Sequence, residues 1–217
     1  CGEIAYQCFE NQINLKELTL SSGVKSIAGR AFYGNFALTG VKIPDPAFIA
    51  DYAFQYTYGI TGTVHVGNDT EDTKGVIDIH GFRYMGPAAF IYQKNMTGVT
   101  FGSGVKVIGK DVDEGQSFYQ CYGLTGVRIH DPEIINYFSF DYCSSITGVY
   151  IGNDTKDTQG IVNNEAFRRL GATAQGAAGN GYLYIGTSIQ DVKYRAFYGD
   201  YNWIYKADIN ARWLRDR

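Results

Sequence analysis

The 217-residue chain has only four Cys, four Pro, two Met and two Trp, and each scarcity narrows what it can be. The cysteines, Cys1, Cys8, Cys121 and Cys143, form no Cys-x-x-Cys pair and no cluster with His65, His80 or His130, which argues against a zinc site. No run approaches the ~18 apolar residues of a membrane helix, so no transmembrane segment is expected. Lys and Arg total 19 against 22 Asp and Glu, a net charge of -3. With the two signs interspersed, neither nucleic acid nor a dominant polyanion-binding face is expected. No Ser or Cys nucleophile is recognisably partnered with a His, and the reading is of a chain that is not an enzyme. The chain opens Cys1-Gly2 inside a repeat, with no leader segment and no initiator Met, and reads as a processed or excised piece.

What is abundant is Gly (27), Tyr (18) and Phe (13). They fall in a repeated phrase. Leu38-Thr39-Gly40-Val41-Lys42-Ile43, Leu124-Thr125-Gly126-Val127-Arg128-Ile129 and Ile146-Thr147-Gly148-Val149-Tyr150-Ile151 are its clearest copies. Apolar, β-branched residues two apart predict a short strand with Val and Ile facing inward. Downstream of most copies a Phe stands five residues after an aliphatic residue: Ile27 to Phe32, Ile49 to Phe54, Ile135 to Phe140, Val192 to Phe197. A unit copied in this way cannot bury its apolar face alone and must stack on its neighbours.

Two long insertions recur in the same place. Gly67 to Gly75 and Gly152 to Gly160 are near copies, and Leu38 to Leu124 spans 86 residues. Three coils therefore form a larger unit that was duplicated with its loops in place. The whole chain, residues 1–217, reads as one solenoid of about eight coils, a partial repeat at each end, with insertions near 67–75, 85–95, 110–116, 152–160 and 171–181.

The phrase Leu-Thr-x-Val-x-Ile-Pro followed by Ile-x-x-x-Ala-Phe resembles the BspA-type leucine-rich repeat. Its spacing is kept from Phe9 to Phe32 (23 residues), Phe32 to Phe54 (22) and Phe118 to Phe140 (22). The resemblance implies a leucine-rich-repeat-like, right-handed solenoid with one parallel β-sheet face and short helical or irregular segments opposite. It also implies an extracellular or cell-surface protein that binds other proteins or glycans without catalysis.

Candidate site residues follow from the strand alternation. The outward column is expected to be Thr19, Lys42, His65, Thr100, Arg128, Tyr150, Tyr184 and Asp208, with Lys42, His65, Arg128, Tyr150 and Tyr184 as the binding surface. Gly40, Gly98, Gly126 and Gly148, one position back, leave that surface flat. Tyr and Arg are typical interface anchors; the plainer alternative is a merely soluble sheet face.

Cys121 and Cys143 stand three residues after Phe118 and Phe140, one above the other on adjacent coils, and are either a cross-coil disulfide or two buried thiols. Cys8 aligns with Ala31 as core filler. No cofactor is implied. The loops Asn68–Asp72 and Asn153–Asp157 carry oxygen ligands that suit Ca²⁺ or, alternatively, a solvated turn. Asn68, Asn95 and Asn153 each head an Asn-x-Thr glycosylation sequon. Gly104 to Asp111 lacks the Ser/Thr of a phosphate loop, and Asp111-x-Asp113-x-Gly115 lacks the closing Glu of a calcium hand. Because the chain opens in the second half of a repeat and closes after the first half of another, a second reading is a filament subunit that associates end to end.

Overall fold

A computed structural model describes residues 2–44, 46–67, 75–77, 96–102, 104–109, 116–152, 160–170, 181–197 and 203–207. The alternating Val/Ile segments form short strands. In chain order these are β1 (Glu3–Ile4), β2 (Glu17–Thr19), β3 (Ser26–Ile27), β4 (Gly40–Ile43), β5 (Phe48–Ile49), β6 (Gly62–Val66), β7 (Gly75–Ile77) and β8 (Met96–Phe101). The second half of the chain supplies β9 (Val105–Ile108), β10 (Gly126–Ile129), β11 (Ile134–Ile135), β12 (Gly148–Ile151), β13 (Gly160–Val162), β14 (Gly181–Ile185), β15 (Ile189–Val192) and β16 (Trp203–Ala207).

Odd-numbered strands build one eight-stranded sheet, A, and even-numbered strands a second eight-stranded sheet, B, each in sequence order. Every pairing is parallel. Each coil therefore runs through sheet B, then sheet A, then a turn arm that carries the repeated Phe.

Sheet A is a departure from the expected architecture. Its strands end at or near the aliphatic residue that precedes each Phe by five, and most are two or three residues long. Segments so short show no alternation, so sequence pattern alone leaves them as irregular structure. No α-helix occurs among the described residues.

One apolar interior runs the length of the stack. From sheet B, Val64, Val99, Val127, Val149 and Leu183 are register partners in turn, and all are at most 2% exposed. From the arm, Phe9, Phe32 and Phe54 stack at 5.3 and 5.0 Å between ring centroids. Phe118, Phe140, Phe167 and Phe197 continue the column at 4.9, 4.8 and 5.2 Å. Interplanar angles of 13° or less suit the coil spacing, since strands ~4.8 Å apart bring equivalent rings face to face. Burying each ring contributes about 1.5–3 kcal/mol.

The arm is held by its own hydrogen-bond ladder. Arg30, Phe32 and Gly34 N–H donate to Asp51, Ala53 and Gln55 carbonyls of the following coil. The same arrangement joins Phe9 to Ala31, Phe118 to Ser139, and Phe140 to Ala166. In each case the donor is two residues from the next donor, and the intervening N–H closes an i→i+3 turn, as Tyr33 does onto Arg30.

That zigzag requires left-handed backbone two residues before and two after the Phe. Gln7, Arg30, Tyr52, Phe138, Glu165 and Arg195 occupy the first position, and Asn11, Tyr56, Gln120, Tyr142 and Arg169 the second, with φ of 52–62°. Left-handed backbone costs a side-chain-bearing residue roughly 1–2 kcal/mol, and the ladder bonds it releases toward the next coil offset that cost. In the coils of Phe9 and Phe32 three such donors point the same way along the stack, and in those of Phe118, Phe140 and Phe167 two do.

Two expectations are corrected here. Cys8 is exposed rather than core filler, because its coil is covered on one side only. The last strand is Trp203–Ala207, and its register pairs Lys206, not Asp208, with Tyr184; Asp208 lies outside the described residues. The duplication is visible in the backbone: Gly67 and Gly152 end β6 and β12 with φ of 81° and 80°, a turn that only Gly makes without strain.

Candidate functional site

Strand alternation sends the residues flanking each inward Val to the outside of sheet B. Register places Thr19, Lys42, His65, Thr100, Arg128, Tyr150 and Tyr184 on successive rungs of one column. Lys42, His65 and Arg128 are exposed, and Tyr150 retains 45% of its surface. Tyr150 and Tyr184 lie 6.1 Å apart with a tilt of 36°. The Arg128 guanidinium sits 5.7 Å from the Tyr150 ring centroid, and its Nε donates to His130 Nε2 at 3.2 Å. His130 thus belongs to the same face. It was not expected there, although its place two residues after Arg128 is the available signal.

Beside this column the floor is bare. Gly98, Gly126 and Gly148 are in direct register. A Cβ built on Gly40 would meet nothing within 4 Å, and one on Gly126 only the Gly148 carbonyl oxygen at 4.0 Å. None of the four has positive φ.

Four described cations away from this face hold carboxylates. Arg30 pairs with Glu10, Lys106 with Asp131, Arg168 with both Asp141 and Glu165, and Lys193 with Asp191. Lys42 and Arg128 have no carboxylate partner among the described residues. From β4 to β16 no acidic residue occupies the register positions in line with them.

On the arm, charge and aromatic rings lock coil to coil. Arg168 makes two bonds to Asp141, Nε–Oδ1 3.0 Å and Nη2–Oδ2 2.6 Å, and one of 2.6 Å to Glu165. Burial pushes the Asp141 carboxyl up, while its bonds to Arg168 pull it down; those same bonds hold the guanidinium more firmly protonated. Arg168 also lies 4.6 Å from the Phe138 ring centroid, and Arg169 4.4 Å from that of Tyr142. The sequence signal for this pairing was opposite charge one coil apart.

Cys121 and Cys143 are both buried free thiols, so the disulfide alternative gives way to the packing one. Cys143 Sγ donates to the Phe118 carbonyl at 2.9 Å, and complete burial beside Cys121 pushes its thiol well above the ordinary cysteine range. Asn68, Asn95 and Asn153, the Asn68–Asp72 and Asn153–Asp157 loops and Asp111–Gly115 lie outside the described residues. Among the described residues no group of three His, Cys, Asp or Glu is placed to hold a metal, and no helix is long and apolar enough to cross a membrane.

A family model, the BspA type leucine-rich repeat region, matches residues 1–63 and 77–172 in six copies. The chain belongs to the BspA-type leucine-rich repeat family. Neither the curated proteins nor the solved structures contain a match. BspA-type repeats are generally non-catalytic, commonly surface-exposed or extracellular, and often bind proteins. The matched copies cover β1 to β5 and β8 to β13, so five face rungs, Thr19, Lys42, Thr100, Arg128 and Tyr150, fall within them and His65 falls between them.

Proposed function

We propose that the outward face of sheet B is a recognition surface through which this BspA-type repeat protein binds a partner protein or glycan outside the cell or at its surface. The glycine strip carries the reading. A Gly inside a strand is less stable than Ala by roughly 0.5–1 kcal/mol, and Gly40, Gly126 and Gly148 need no unusual φ and relieve no clash. What remains is close approach by another molecule. Exposed Arg128 and Tyr150 alongside are the residue types that anchor interfaces.

The test is Gly126→Val, checked for fold by circular dichroism and screened with the parent against immobilised extracellular-matrix proteins and a glycan array. A ligand of the parent should be lost or weakened at least tenfold by the added side chain. Equal capture by both proteins would refute the reading.

Exposed apolar side chains on the Phe9 coil favour a second reading, self-association of this chain by coil stacking. Phe9 stacks on Phe32 by one ring face and is 42% exposed, and Tyr6 and Ile13 of the same coil are each 61% exposed. A second copy stacked on this coil would cover all three. Light scattering across a hundredfold concentration range tests it, and a constant monomer mass rejects it.

A further inference from the structure

We infer that the ligand of the sheet B face is a uronate-bearing glycan, laid along the stack over the glycine strip with its carboxylates on Lys42 and Arg128. This rests on the recognition reading and names the chemistry of the partner. Four observations lead to it.

From β4 onward the outward register positions of sheet B hold Lys42, His65 and Arg128 and no acid, although the chain as a whole is acidic and Glu17 stands on β2. Lys42 and Arg128 lack carboxylate partners among the described residues, whereas Arg30, Lys106, Arg168 and Lys193 have theirs. Net charge reports the sum and hides this segregation. An exposed cation with no carboxylate of its own can take an anion from a ligand without breaking an ion pair, and the Arg128 Nε bond to His130 leaves its two terminal nitrogens for that anion.

The sheet backbone is already saturated. Each interior strand of sheet B is bonded on both sides, so its face offers no free N–H or C=O. An extended peptide recognised by added-strand pairing needs an edge, and this face is not one. Recognition here must go through side chains and ring faces.

The floor suits a flat ring. Gly98, Gly126 and Gly148 leave a strip of bare backbone three rungs long beside exposed Tyr150 and its half-buried neighbour Tyr184. Tyrosine rings present an apolar face with a hydroxyl at the rim, which matches the apolar faces and hydroxyl rims of pyranose rings.

The charge is sparse. Lys42 and Arg128 are three rungs apart through His65 and Thr100, about 14 Å at strand spacing. That spacing suits carboxylates set singly along a sugar chain rather than the charge density of a heavily sulfated one. The planar fork of Arg128 also matches a carboxylate.

The experiment is isothermal titration of the full chain with four probes of matched length. These are an oligosaccharide with uronate on alternate residues, its carboxyl-reduced neutral form, a heavily sulfated glycan, and poly-glutamate. The uronate probe should bind, its neutral form at least tenfold more weakly, and affinity should fall as salt screens the charges. Arg128→Ala and Lys42→Ala should each weaken binding about fivefold to tenfold, and Arg169→Ala on the arm should leave it unchanged. Equal binding of the neutral form, or preference for the sulfated glycan or poly-glutamate, overturns the inference. Capture of a protein partner that Gly126→Val abolishes, with no uronate binding, overturns it while leaving the recognition reading intact. Binding of any probe that is indifferent to Gly126→Val defeats that reading as well.

Discussion

Truncating Phe140 to Ala should cost far more than truncating Phe9. Phe140 has no exposed surface and lies between Phe118 and Phe167, at 4.9 and 4.8 Å. Removing a buried Phe costs about 3–5 kcal/mol, part of it for the cavity left behind, and both stacking contacts go with it. Phe9 retains 42% of its surface and has one stacked neighbour. A little over half of the ~1.5–3 kcal/mol of full burial is then at stake, or about 1–2 kcal/mol, with little cavity term because the site opens to solvent. The gap between the two variants is about 2–3 kcal/mol. Urea unfolding followed by far-ultraviolet circular dichroism measures it. Because a solenoid is coupled through nearest neighbours, Phe118→Ala and Phe140→Ala together should also depart from additivity by about 0.5–1.5 kcal/mol. Costs for Phe9 and Phe140 agreeing within 0.5 kcal/mol, the usual limit of additivity error, would refute the claim that the ring column is a major source of coupling between coils.

Three further outcomes follow. Gly126→Val should leave stability unchanged or raise it by up to about 1 kcal/mol, since a β-branched side chain gains strand propensity and meets open space; a large loss in urea unfolding would show that the glycine serves folding. Arg168→Ala should cost about 2–4 kcal/mol near neutral pH by stranding Asp141, a figure kept below the full buried-pair value because Arg168 is partly exposed. Removing the guanidinium leaves burial and Glu165 opposed only by Arg169, and so raises the folded pKa of Asp141 further above the unfolded one. The ionised carboxylate is therefore the destabilising form. The deficit should shrink as pH falls through the folded pKa toward the unfolded value of about 4, and a deficit constant with pH in paired urea titrations contradicts the assignment. In the native protein iodoacetamide should modify Cys8 and spare Cys121 and Cys143, whose thiols are buried, with that of Cys143 also held protonated; peptide mass mapping reads this, and equal labelling argues against it.

Much of the molecule was legible before any coordinates. The inward Val and Ile of sheet B, the Phe column and the outward set from Lys42 to Tyr184 all follow from period-two alternation and a repeat of 22–23 residues, because stacking identical units forces equivalent residues into register. The 86-residue duplication was likewise visible, and Gly67 and Gly152 carry it into matching backbone angles.

Other features had no local signature. Left-handed backbone at Arg30, Tyr52, Phe138 and Glu165 goes against residue preference, which favours Gly, Asn and Asp there. Only the neighbouring coil, which accepts the N–H groups so exposed, makes it stable. Strands of two residues in sheet A exist because the adjacent coil supplies a partner at each step. Whether Cys121 and Cys143 bond to each other or simply pack, and that Lys42 and Arg128 lack acids while Arg168 has two, depended on which side chains the stack brought together. The sequence by itself determined the repeat, its inward face and its column of side chains, since periodicity is a property of the chain; the pairing of charges and the path of the arm were decided between coils, where no single unit carries the information.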